Sequence, residues 1–225
     1  DGFVRTKAYK TLAAVDWEYP TVNTLRNRLS DKWGYTNVEE KVIHFDIQRT
    51  EELINGFKDD KYGKSVGLNK LIGKKKVDLI VGGPPCQAYS LAGRGRKPSD
   101  LGYVPHEENR HRLYEEYINV LRSLRPAAFI MENVKGMLSS SIEKIKVFDL
   151  VTKDLKSGGG AAEYVLFPLS AEPFFDDSAP PQSFVVRSEC HGVPQARHRV
   201  ILAGIRSDLV TASEGIAPPY LPLNN

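Results

Sequence analysis

Cysteine is scarce: the 225 residues hold two, Cys86 and Cys190, with no CxxC spacing. That excludes a disulfide-stapled scaffold and a cysteine-ligated zinc site, and it predicts a reducing, cytoplasmic compartment. The five histidines are scattered without an HxxxH pair, so no metal centre is expected. Long hydrophobic runs are lacking too. None approaches the roughly 20 apolar residues of a membrane helix, and nothing reads as a signal peptide, so no membrane partner is expected. Excess charge of one sign is small, with 31 basic against 28 acidic residues and a pI near 8.7. This permits a nucleic-acid partner without demanding one. What is present is a 41% hydrophobic chain, enough for one sizeable core and a single domain.

Short apolar runs alternate with amphipathic ones. TLAAV (11–15), KVIHF (41–45), VDLIV (77–81) and AAFIM (127–131) read as buried strands. TVNTLRNRL (21–29), TEELINGF (50–57) and RLYEEYINVLRSL (112–124) read as helices, the last stopped by Pro126. SFVVRSE (183–189) and RVILAGI (199–205) read as strands flanking a turn. Such alternation predicts an α/β fold with a mostly parallel, doubly wound sheet. Sheets of that kind bind ligands beyond the carboxyl ends of their strands. Asp16-Trp17, Asp46, Pro84-Pro85-Cys86 and Glu132-Asn133 follow four successive strands, which gathers reactive side chains on one edge. Two stretches break the alternation. The lysine-rich residues 58–76 read as a solvated surface insertion, and residues 156–182 mix glycine, proline and aromatics.

The run LIVGGPPCQAYSLAGRGR (79–96) carries the sharpest chemical signal. A free cysteine is commonly a buried, inert thiol. Around Cys86, however, prolines stiffen the backbone and glycines permit close approach, as suits a thiolate nucleophile exposed to a cleft. FIMENVKGM (129–137) offers Glu132 behind a bulky apolar strand, where partial desolvation raises a carboxyl pKa and lets the acid donate to a ring nitrogen. The alternative for Glu132 is a helix-capping or surface carboxylate. In GVPQARHRV (192–200), Arg197 and Arg199 stand two apart on an extended segment and so share a face. They are either solvated or holders of a phosphate or a base carbonyl.

In their order, GGPPCQAYS (82–90), MENVKGM (131–137) and QARHR (195–199) closely resemble the cytosine-C5 methyltransferases, S-adenosylmethionine-dependent enzymes that make 5-methylcytosine. The resemblance implies a Rossmann-like methyltransferase fold, incomplete at both ends: a catalytic domain over 1–210 without the family's glycine-rich loop, then 211–225 as the start of a linker to an absent target-recognition domain. It implies that Cys86 adds to carbon 6 of a flipped-out cytosine. Glu132 then engages ring N3, Arg199 contacts the base, and Arg197 supports the same region. Substrate contacts are implied for Pro85, Gln87, Ser90, Asn133, Val134 and Gln195, and the residues after Cys86 match the catalytic loop. For the cofactor S-adenosylmethionine, Asp16 would take the ribose, Trp17 the adenine face, Asp46 the adenine amino group and Ile47 its ring. Gly82, Pro84 and Leu113 would line the methionine side. Read alone, Trp17 is equally a core residue.

The implied partner is double-stranded DNA and the implied state a monomer, acting in the cytoplasm as the modification enzyme of a bacterial restriction system. Transfer-RNA relatives carry similar Pro-Pro-Cys-Gln and Glu-Asn-Val-Lys-Gly stretches, which leaves a transfer-RNA cytosine-5 methyltransferase as the alternative. A truncated inactive fragment is the third reading, and the presence of Cys86, Glu132 and Arg199 argues against it.

Overall fold

A computed structural model describes residues 2–84, 113–142, 144–157, 163–169 and 179–211. Pro85, Cys86, Gln87 and Ser90, which carry the nucleophile motif, lie outside the described residues. The architecture is α/β, and its internal contacts divide it into two units, Asp1–Lys76 and Val77–Asn225.

The first unit opens with a short helix, α1 (Gly2–Arg5), followed by strand β1 (Ala14–Asp16) and helix α2 (Tyr19–Asn27). Then come α3 (Val38–Lys41), β2 (Val42–His44) and α4 (Thr50–Asn55). β1 and β2 are parallel, with Asp16 opposite His44. Val22, Leu29 and Val42 form the core here, and Ala14, Leu25 and Trp33 pack around it. Arg26 ties the layers together: its guanidinium donates to the Val42 carbonyl at 2.8 Å and pairs with Glu39 at 2.6 Å.

The lysine-rich stretch is more than a solvated loop. It contains an antiparallel hairpin, β3 (Phe57–Asp59) and β4 (Gly63–Ser65), and a helix, α5 (Leu68–Ile72), that buries Leu68 and Ile72. The apolar residues among the lysines were the signal, diluted below a legible period. Gly67 makes the connection possible. Its φ is +84°, and a Cβ there would stand 2.4 Å from the Gly56 nitrogen, a place that only glycine can occupy.

In the second unit, β5 (Leu79–Gly82) leads through α6 (Leu113–Leu124) to β6 (Ala128–Val134), parallel to β5. A small antiparallel pair, β7 (Ser141–Ile142) and β8 (Ile145–Lys146), precedes α7 (Val147–Lys156). Strands β9 (Tyr164–Phe167), β10 (Val185–Arg187) and β11 (His198–Arg206) follow, then α8 (Ser207–Thr211). β11 is the hub. It runs antiparallel to β6 on one side, and on the other it pairs first with β10 and then with β9. The helix-linked strand pairs are thus parallel and those made by β11 antiparallel, of which only the β10–β11 pair is joined by a short connection.

The helix α6 forms because Leu113, Tyr117, Ile118, Val120 and Leu121 recur at helical spacing, and all of them are buried. Tyr117, Ile118 and Leu121 among them, with Val147, Val151 and Leu155 of α7, cover Phe129, Met131, Val200 and Leu202 of the sheet. Each such side chain contributes about 1.5–3 kcal/mol through burial. The sequence pattern left α7 and β9 unassigned, although Val147, Val151 and Leu155 carry the helical period. It also ended the fourth strand at Met131. The strand continues through Glu132, Asn133 and Val134 because β11 supplies hydrogen-bonding partners opposite all three.

Candidate active site

Glu132 is the centre of the arrangement in the second unit. It lies directly opposite Ile201, and Arg199 lies opposite Val134, so Arg199 is two residues from Glu132's partner and on the same face of β11. The Arg199 Nε is 2.7 Å from Oε1 of Glu132, and Nη2 of Arg197 is 3.7 Å from the same oxygen. The two arginines at alternate positions therefore do converge on one carboxylate. Glu132 is 39% exposed and not desolvated as its bulky neighbours predict, because its side chain leaves the packed face that takes Met131 and Asn133. Nε of Arg199 is enclosed, yet its N–H is not aligned on any acceptor, so the 2.7 Å approach is an ion contact without a formed hydrogen bond. Nη1 of Arg199 donates to the His198 carbonyl at 2.8 Å.

Gly83 completes this edge. A Cβ on it would stand 3.1 Å from Oε2 of Glu132, so the missing side chain lets the carboxylate lie over the end of β5. Gly82 serves a different contact: its Cβ would fall 2.5 Å from Cε2 of Tyr117. The Tyr117 ring is buried there, and its hydroxyl lies 3.4 Å from the Ile80 carbonyl and 3.2 Å from that of Ile130, where it can donate. Burial drives the Tyr117 phenol far above its usual pKa, which keeps it a neutral donor. Pro84 and Leu113 are buried, Asn133 is buried, and the Asn133 side-chain oxygen accepts from the Val134 N–H at 2.8 Å. Val134 is half-buried and Gln195 is exposed in the turn before β11.

That turn is held from behind by residues the sequence reading passed over. The Ser188 N–H and hydroxyl both donate to the Arg197 carbonyl, at 3.1 and 2.9 Å. On the reverse face of β11, the His198 imidazole is 2.5 Å from the Glu189 carboxylate. The backbone N–H of Glu189, and then His198, hold that carboxyl below its usual pKa. His198 between two arginines was a usable signal, since alternation puts it on the other side of the strand.

In the first unit the expected ligand residues end neighbouring strands. Asp16 closes β1, and its carboxylate accepts from the Glu18 N–H at 2.8 Å. Asp46 follows β2 and accepts from the Gln48 N–H at 3.0 Å, capping the turn that holds Ile47. Trp17 is half-buried, and its carbonyl contacts the His44 ring at 3.0 Å. Two carboxylates fixed by backbone donors at adjacent parallel strand ends, with an indole beside one of them, form an acceptor set suited to hydroxyls and an amino group on an aromatic ring.

Comparison with known proteins adds an independent line. The profile described as C-5 cytosine-specific DNA methylase matches residues 2–224. The type II methyltransferase M.Bpa9945I of Bacillus paralicheniformis is 35% identical over 133 residues, 59% of this chain and 26% of the relative. M.AquIA of Picosynechococcus sp., also a type II methyltransferase, is 28% identical over 202 residues, 88% of this chain and 64% of the relative. The chain thus spans less than two thirds of the length of these relatives. A solved structure of Spodoptera frugiperda DNMT2 superimposes with a TM-score of 0.50 at 21% identity, covering 96% of this chain and 48% of that one, which shows the shared Rossmann-like fold.

Proposed function

This chain belongs to the C-5 cytosine-specific DNA methylase family, and from that membership we propose that the whole protein methylates carbon 5 of cytosine in duplex DNA. The observation that carries this reading in the structure is the contact of Arg199 with Glu132 at the carboxyl end of β6, with Gly83 alongside.

Carbon 5 of cytosine is too weak a nucleophile to accept a methyl group unaided. In the proposed mechanism the Cys86 thiolate adds to carbon 6, and the electron pair of the 5,6 double bond moves toward carbon 5. Glu132 engages ring N3 and stabilises the charge that develops in the ring. Arg199, whose Nε carries an unaligned donor beside Glu132, turns that donor to the base carbonyl, while Arg197 supports the same carboxylate. Asn133 fixes the backbone at Val134. After transfer, a water molecule takes the carbon 5 proton, the C–H electron pair re-forms the 5,6 double bond, and the cysteine sulfur departs as thiolate. Since carbon 6 is inaccessible in a stacked duplex, the base must be flipped out, with Pro85, Gln87, Ser90, Val134 and Gln195 as its proposed surroundings.

The acceptor set of the first unit fits S-adenosylmethionine: Asp16 would accept from the ribose hydroxyls, Trp17 and Ile47 would pack on the adenine faces, and Asp46 would accept from its amino group. Pro84, Leu113 and the Gly82 backbone remain proposed for the methionine end. When bound, the cofactor supplies an electrophilic methyl group on sulfur. The names of the relatives, type II methyltransferases, favour a role as the modification enzyme of a restriction system; that it acts as a monomer in the bacterial cytoplasm is part of the same proposal.

The test is transfer of labelled methyl groups by the intact protein, with trapping on duplex DNA containing 5-fluorocytosine. Label in DNA and a covalent adduct that disappears in Cys86→Ala are expected. Label in transfer RNA alone overturns the choice of substrate, and methylation without an adduct overturns the role of Cys86.

A further inference from the structure

The β3–β4 hairpin carries an unfavourable feature that the proposed chemistry does not use. Lys58 and Lys64 are directly opposed across it, so two exposed lysines share one face of the hairpin. Like charges so placed destabilise a hairpin. Lysine at a strand edge guards against aggregation, but that purpose needs charge and not two like charges face to face.

The pair stands within a local excess. Between Phe57 and Lys76 the chain has seven lysines and two aspartates, and all seven lysines are exposed. The whole chain carries only +3, so outside this segment acidic residues outnumber basic ones. One of the two aspartates, Asp59, is already committed to Arg49 at 2.7 Å.

The hairpin is a fixed platform. On its inner face Phe57 is buried and stacks on Phe45, with ring centroids 3.9 Å apart, and Tyr62 packs edge-on against Phe45 and His44. Phe45 lies between β2 and Asp46, so the inner face of the hairpin packs against the residue that follows β2. With the hairpin backbone already fixed, only the lysine side chains lose freedom on meeting a polyanion.

We propose that the Lys58–Lys64 face of this hairpin is an accessory contact for the phosphate backbone of duplex DNA. An inserted phosphate turns the repulsion between the two lysines into a pair of attractions, and it takes no account of base sequence. The inference rests on the reading that the protein acts on duplex DNA.

The experiment compares the intact protein with a Lys58→Thr/Lys64→Thr double variant and a Lys58→Arg/Lys64→Arg control. Binding to duplex oligonucleotides of unrelated sequence is measured across a NaCl titration, alongside thermal unfolding. In the Thr variant the slope of log K against log salt falls in magnitude by about 0.9, the share of the one phosphate that is no longer neutralised. The KM for DNA rises, kcat at saturating DNA is unchanged, and the variant without DNA unfolds at a higher temperature because the repulsion is gone. The Arg control keeps the slope. A merely structural hairpin would not give lower DNA affinity together with higher stability. Unchanged slope and affinity in a Thr variant whose parent methylates duplex DNA overturn this inference alone. A parent protein that neither binds nor methylates duplex DNA overturns the substrate reading, and this inference with it.

Discussion

Oε1 of Glu132 on β6 receives two guanidinium groups from one neighbouring segment, Arg199 at 2.7 Å and Arg197 at 3.7 Å. The antiparallel register of β6 and β11 brings this about: with Ile201 opposite Glu132, the residues two and four before Ile201 come up on the same side. A shift of one residue would turn both arginines to the reverse face, where His198 meets Glu189.

Arg199 is nearer and more enclosed than Arg197, so the two do not contribute equally. Arg199→Ala is expected to lower kcat/KM for DNA by about 10²–10³-fold, the cost of removing one preorganised donor, and Arg197→Ala by less than a tenth of that effect. Steady-state kinetics on the intact protein check the ranking. Equal losses would show that both arginines serve only the DNA backbone.

Glu132→Gln keeps the volume and removes the charge and the acid. Its methyl transfer should fall about 10²–10⁴-fold, as for loss of a proton-managing group, while the unfolding temperature changes little because the side chain is 39% exposed.

The paired glycines separate by readout. In Gly82→Ala the new methyl meets the ring of the buried Tyr117 at 2.5 Å, which is overpacking. A stability loss of about 1–3 kcal/mol follows. In Gly83→Ala it meets the half-exposed Glu132 carboxylate at 3.1 Å, which can move aside. Stability is then nearly kept and activity falls. Thermal unfolding and methyl transfer, measured on both variants, test this opposition.

Tyr117→Phe removes the donor that spans the Ile80 and Ile130 carbonyls of the two parallel strands. The expected loss is about 1 kcal/mol, that of one buried hydrogen bond, read from denaturant unfolding.

Acid should loosen the first unit through Arg49. The hydrogen bonds from Arg49 are the main reason that the Glu52 and Asp59 carboxyls lie below their usual pKa. Folded, these groups hold protons less tightly than unfolded, so the contribution is complete above the usual carboxylate range and fades as pH falls through and below it. Glu52 is exposed and Asp59 only part-buried, so the effect is modest and salt weakens it. Asp59→Asn should flatten the acid limb of a melting-temperature profile, and an unchanged limb would count against the pair.

The sequence by itself determined the alternation of strands and helices, the identity of the chemical groups, and the placing of Asp16, Asp46 and Glu132 each toward the carboxyl end of its own strand. Those follow from local periodicity and from the rule that a parallel strand delivers its next residue to its carboxyl end. It could also say that Arg197 and Arg199 share a face, because a strand alternates with period two. Only the tertiary structure decided which carboxylate they face, since that depends on the register between β6 and β11, separated by more than 60 residues of chain. It likewise decided that Glu132 is half exposed, that Gly82 makes room for Tyr117 while Gly83 makes room for Glu132, and that two lysines in an apparently featureless basic stretch oppose each other across a hairpin. Distances between side chains far apart in sequence are set by packing and strand pairing, which no local pattern of residues encodes.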